Sequence, residues 1–175
     1  RVKFNQSLPN PEVQGIIPFP GIYNYFLGND PRFWASGVKR YEKVHYRELY
    51  HGIDLTVAKD ATLFKYEFHC NPGSDPSHIH LLYEGVPELS LKFGNLFVKT
   101  PLGTIYELKP YAYQVVNGEE RKVECRFRLR DNALTYIIGK YDPSLTLVID
   151  PPVRVFASYT GSTADNWGYT ATYDN

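Results

Sequence analysis

The sequence has no methionine and only two cysteines among its 175 residues. A complete translation product ordinarily begins with methionine, so the expectation is a processed or excised piece of a longer polypeptide. Two cysteines cannot supply a disulfide framework. They also show no Cys-x-x-Cys or neighbouring Cys-His spacing suited to zinc. Net charge is missing as well: 19 basic residues balance 19 acidic ones. That balance argues against a general electrostatic role on nucleic acid or an anionic membrane. No apolar run approaches the roughly 18 residues that a membrane helix needs, so membrane insertion is not expected. Windows rich in Ala, Leu, Glu and Lys, which favour helix, are scarce. No Gly-x-Ser-x-Gly elbow, phosphate-binding loop or His-Glu-x-x-His is found. The expectation is a chain without a cofactor and without catalysis. A hydrolase would need carboxylates assembled from distant strands.

What the chain has in quantity is aromatic: 15 tyrosines, 10 phenylalanines and two tryptophans, with 13 glycines and 13 prolines. Tyr, Phe, Val and Ile suit a pleated, half-buried surface, while Gly and Pro punctuate turns. The densest aromatic stretch runs over residues 23–55. It breaks at Gly28-Asn29-Asp30-Pro31 and again at His51-Gly52. Asp30 is placed to cap one helical turn with Pro31 at its first position. Val2 and Phe4 suit an edge strand, and Pro9, Pro11, Pro18 and Pro20 keep the following segment from being a helix or a central strand.

From Tyr41 onward the pattern is strand after strand. Val44 and Tyr46 alternate with His45 and Arg47; Ile53, Leu55 and Val57 alternate with Asp54 and Thr56. Residues 59–62 read as a hairpin loop and residues 63–70 as its return strand. Further strands are expected over 79–83, 89–93 and 96–99, with Gly94-Asn95 as a two-residue turn. Residues 104–116 form a long strand interrupted by Pro110. Asn117-Gly118 marks a hairpin, followed by strands over 121–129, 134–138 and 145–149. Ten or more short strands at roughly 8–12-residue spacing are the pattern of an antiparallel sandwich or barrel. Asp-Pro occurs four times, at Asp30, Asp75, Asp142 and Asp150. Each reads as a turn device, because Asp accepts from the backbone N–H two residues on and Pro sets the turn dihedral. Asp150-Pro151-Pro152 reads as a boundary, with one more strand over 153–159 and a small, polar, glycine-containing tail beyond it.

Five stretches occur in a fixed order: YNYFLGNDPRFW, VHYRELYHGIDL, YEFHCNPGSDPSHIHLLYEG, LSLKFGNLFVKTPLGTIYELKPYAYQVVNG and YDPSLTLVIDP. Together they resemble the N-terminal β-rich domain that precedes SBBP (beta-propeller) repeats in large secreted bacterial proteins. The tail SYTGSTADNWGYTATYDN resembles the opening of one such repeat. The resemblance implies an all-β, sandwich-like module over residues 1–152, then a linker strand and partial propeller repeat over 153–175. It implies an extracellular or cell-surface location and a non-catalytic structural or adhesive role, with secretion through the type IX route of gliding bacteria. The implied partners are the downstream repeats of the same polypeptide, other cell-surface proteins or polysaccharide.

Several residues are candidate sites. Cys70 and Cys125 lie on the apolar sides of alternating strands, so they are either a disulfide or two core thiols. His78 and His80 share a strand face, with His69 as a third ligand, or else lie on a solvated face. Arg126, Arg128 and Arg130, with Lys122 and Glu124, form a basic stripe that would meet an acidic partner or glycan, or be the wet side of a sheet. Trp34 and Tyr50, with Tyr41 and Tyr46, would line a sugar-binding surface if they face solvent, and would be core if they do not.

Overall fold

The computed structural model describes residues 1–60, 63–101 and 103–155. The tail resembling a propeller repeat lies outside the described residues. The chain opens with β1 (Val2–Phe4). It continues into a long ribbon of β2 (Glu12–Phe26) and β3 (Trp34–Tyr50), joined through a 3-10 turn at Pro31–Phe33. β4 (Ile53–Asp60) and β5 (Leu63–Cys70) follow as the expected hairpin. A second 3-10 turn at Pro76–His78 leads to β6 (Leu81–Tyr83), β7 (Glu88–Lys92), β8 (Asn95–Thr100) and β9 (Gly103–Glu107). Then come β10 (Tyr111–Val116), β11 (Glu119–Val123), β12 (Cys125–Arg130) and β13 (Ala133–Ile138). The last described strands are β14 (Leu147–Asp150) and β15 (Pro152–Val155). All pairings are antiparallel. The fold is all-β, as the composition implies. Among the described residues no helix is long and apolar enough to cross a membrane.

The strands form a smaller sheet in the order β1-β6-β13-β12 and a larger, open one that forks. β2, β3, β4 and β5 are consecutive neighbours. Beyond β5 the edge is shared: β14 pairs with its C-terminal half and leads to β10 and β11, while β15 pairs with its N-terminal half and leads to β9, β8 and β7. The fork sits at Asp150-Pro151-Pro152. Proline has no N–H to continue the ladder, and Pro151 is fully buried there. This segment therefore lies within the larger sheet, and β15 beyond it is held between β5 and β9. The inner faces of both sheets share one core. Phe68 of β5 meets Phe4 and Tyr136 of the smaller sheet edge-on, at 6.4 and 6.1 Å between ring centroids.

Local turn chemistry holds where it was expected, with three adjustments. Asp30, Asp75 and Asp142 each accept from the backbone N–H two residues on, at 3.0, 2.9 and 2.9 Å. Asp150 does not: it lies in β14 and takes the Lys65 ammonium at 2.9 Å. The hairpin expected at Gly94-Asn95 is instead Phe93-Gly94, because Lys92 pairs with Asn95 and both loop residues have positive φ, 54° and 81°. That is the geometry of a two-residue turn whose twist matches its strands. Asn117-Gly118 forms the same turn, as expected, and so does Asp131-Asn132. The segment expected as one strand over 121–129 is two strands in different sheets. Val123 ends β11, Cys125 begins β12, and the chain crosses between sheets at Glu124. The crossing needs Gly139: its N–H donates to the Glu124 carbonyl at 2.8 Å, and a Cβ there would sit 2.8 Å from the Glu124 Cβ.

Candidate functional site

Two features stand out, an exposed aromatic arm and a cavity between the sheets. The arm is the distal part of the β2–β3 ribbon. β4 pairs with β3 only from Lys43 to Tyr50. Beyond that point, among the described residues, the two strands pair only with one another. Pro18 and Pro20 remove N–H donors from β2, which blunts the ribbon as a template for further strands. Its side chains are strongly apolar yet open to solvent: Phe26 is 61 % exposed, Phe33 67 % and Trp34 44 %. The tip is ordered by local contacts. The Asp30 carboxylate takes the Arg32 guanidinium at 2.6 Å, and the Trp34 indole N–H donates to the Gly28 carbonyl at 3.1 Å. Phe26 and Trp34 stack edge-to-face at 5.4 Å. Lower down, the Arg40 guanidinium lies over Tyr23 at 4.1 Å and Phe19 at 5.2 Å.

Trp34 is thus a surface residue, and Tyr50 is not. Tyr50 is 2 % exposed, and its hydroxyl donates to the His80 carbonyl at 3.0 Å. Burial pushes its phenol up to about 12, against that hydrogen bond. A bulge between Tyr46 and Tyr50, with Glu48 at φ 49°, breaks the alternation and turns both Leu49 and Tyr50 inward. Tyr50 is therefore a core residue and not a surface contact. Arg126, Arg128 and Arg130 are exposed on β12, the edge strand of the smaller sheet. Arg126 lines an open groove of about 920 Å³ with Lys109, Lys122 and Glu124; Arg128 and Arg130 are not part of its lining. Trp34 and the three arginines lie on separate sheets.

The histidine and cysteine expectations change too. His78 ends a 3-10 turn, and the strand begins only at Leu81, so His78 and His80 do not share a strand face. His69 lies 3.4 Å from the Glu67 carboxylate. Among the described residues, no three His, Cys, Asp or Glu side chains gather in a way that would hold a metal ion. Cys70 and Cys125 come from opposite sheets, both buried, and both are free thiols rather than a disulfide. Burial pushes each thiol up to about 12, and Cys125 adds to the effect on Cys70. Only the thiolate reacts, and buried thiols are inert. Ellman's reagent should therefore react with the folded chain about a hundredfold more slowly than with a free thiol, and should titrate both cysteines after unfolding without reductant. Fewer than two thiols after unfolding would mean a disulfide.

The cavity has a volume of about 560 Å³ and lies between the two sheets. β1 and β6 contribute Phe4, Leu81 and Tyr83; β4, β8 and β9 contribute Val57, Val98 and Ile105. One carboxyl stands in this apolar wall. Glu107, on β9, is buried. Tyr66 donates to its Oε2 at 2.8 Å, and Tyr83 donates to its Oε1 in a short hydrogen bond. The Tyr66 and Tyr136 hydroxyls are 3.3 Å apart, which extends the network into the smaller sheet. Burial raises the Glu107 carboxyl above the ordinary range, although both tyrosines pull it down. The phenols of Tyr66, Tyr83 and Tyr136 are all held far above their usual value, first by burial and then by charge from Glu107. This cluster was not singled out from the sequence. Its one signal is parity: Glu107 is two residues from Ile105, on the inward side of its strand.

Residues 1–152 match the model of a protein family described as Domain of unknown function (DUF7948). No curated protein and no solved structure matches the chain.

Proposed function

The chain belongs to that family, and from this premise we propose that it is a non-catalytic interaction module of a secreted, repeat-rich bacterial surface protein. Its aromatic arm would seat against the β unit that follows it in the same polypeptide. The observation that carries this reading is the exposure of Phe26, Phe33 and Trp34 at the end of a projecting two-stranded ribbon. A lone two-stranded ribbon is marginally stable in water, and contiguous exposed apolar patches mark interaction sites. The order of the five family-like stretches supports the secreted, repeat-bearing context, with type IX export as its route. The tail would then begin a propeller-type repeat, and the arm would help cover that propeller's first open edge.

The test compares amide hydrogen exchange in this chain with exchange in a longer polypeptide that includes the repeats. Arm amides over residues 18–42 should exchange at least about tenfold more slowly in the longer form, a protection of about 1.4 kcal/mol. Equal exchange in both forms would sink the proposal.

A second reading is favoured by one specific observation. Phe26, Phe33 and Trp34 offer aromatic surface to solvent, and flat aromatic faces pack against pyranose rings. On that reading the arm is a glycan-binding surface. Retention on immobilised polysaccharide that Trp34→Ala abolishes would favour it over packing on the next repeat.

A further inference from the structure

We infer that the cavity between the two sheets is a binding site for a small, uncharged, apolar molecule carrying one hydrogen-bond donor, with the Glu107 carboxyl as the acceptor. This goes beyond the arm and is independent of it. The volume, about 560 Å³, falls within the range of small-molecule pockets, roughly 300–1,000 Å³. The walls are aliphatic and aromatic, so the body of the molecule must be apolar.

Polar recognition is concentrated at one point. Tyr66 and Tyr83 each donate to a different oxygen of Glu107. They fix the carboxyl in place, while each sp² oxygen keeps the capacity to accept a second hydrogen bond. An acceptor held by its supporting hydrogen bonds in an apolar wall is a preorganised recognition element. The chemistry also excludes an anion. The one cation among the lining residues is Arg1, which is exposed at the rim. A carboxylate head placed beside Glu107 would set two negative charges side by side in an apolar wall, away from that rim. A hydroxyl head meets no such penalty and satisfies the acceptor. The predicted class is therefore a medium-chain or cyclic alcohol, not a fatty-acid anion.

The test uses chain 1–175 labelled with ¹⁵N and titrated at pH 8 with 1-octanol and, separately, with octanoate. Octanol should shift the amides of Tyr83, Val98 and Ile105 saturably, and octanoate should bind at least about tenfold more weakly, a difference of about 1.4 kcal/mol. Val86→Phe, which places a ring in the half-buried wall, should abolish both responses. Thr100→Trp, at another half-buried position in the same lining, serves the same purpose if the first variant fails to fold. Glu107→Gln should bring the two affinities to within about threefold of each other, because the charge that rejects octanoate is gone. No saturable shift with octanol, equal affinity for octanoate in the native chain, or shifts centred on the arm would each overturn the inference.

Discussion

Replacing Phe68 with alanine should lower the unfolding free energy of the chain by about 3–5 kcal/mol. Phe68 is fully buried in β5, the strand on which the larger sheet forks. Its ring meets Phe4 and Tyr136 across the sheet interface, and Tyr66 of its own strand at 5.7 Å. Truncation removes ring area from a dry interior and leaves a cavity that two sheets, each tied by its own hydrogen-bond ladder, can close only in part. Domains of this size are stable by about 5–15 kcal/mol, so the variant should be folded only marginally. Urea unfolding followed by circular dichroism measures the loss. Phe68→Leu should lose less, because it leaves a smaller cavity. A loss below about 1 kcal/mol for the alanine variant would place Phe68 outside the common core.

Replacing Tyr83 with phenylalanine should cost more at pH 8 than at pH 4. Burial holds the folded-state value of Glu107 above its unfolded value. The stability linked to that group is therefore fully present below the unfolded value and is lost as pH rises through the folded one. Once the carboxyl ionises, the Tyr83 hydroxyl donates to a charged acceptor, and its loss should cost about 1.5–3 kcal/mol; with the carboxyl neutral the loss falls to about 0.5–1.5 kcal/mol. Removing one donor also raises the folded value further, so the variant's stability should fall more steeply with pH than that of the native chain. Denaturant midpoints at several pH values give the difference directly, because every other titrating group is common to both proteins. In a Glu107→Gln background the cost of Tyr83→Phe should be independent of pH. Equal cost at pH 4 and pH 8 in the native background would mean that Glu107 does not ionise between them.

The turn devices were legible because they are local. Asp30, Asp75 and Asp142 each bond a backbone N–H two residues away, and Asn117-Gly118 carries the positive φ that its turn requires. The same residue pattern could not hold at Asp150, because the residue two positions on is Pro152, which has no N–H to donate; Lys65 takes the carboxylate instead. Alternation correctly separated inward Phe127 from outward Arg126 and Arg128. It left Tyr50 open between surface and core, and the bulge before it turns Tyr50 inward together with Leu49. The basic stripe was legible as residues but not as a surface, since the chain changes sheets at Glu124.

From composition and period-two alternation alone, the chain was bound to be all-β and antiparallel, with its hairpins closed by Gly, Asn and Asp-Pro chemistry. Those preferences act between residues a few positions apart, so they are written in the order of the sequence. Tertiary structure alone decided which strands became neighbours, that the sheet forks at Pro151, and that the β2–β3 ribbon runs past β4 into solvent. It alone brought Glu107 to Tyr66, 41 residues away, and Tyr66 to Tyr136, 70 residues away. A buried carboxyl is tolerable only where such distant donors converge on it, and that convergence depends on how the two sheets close on one another.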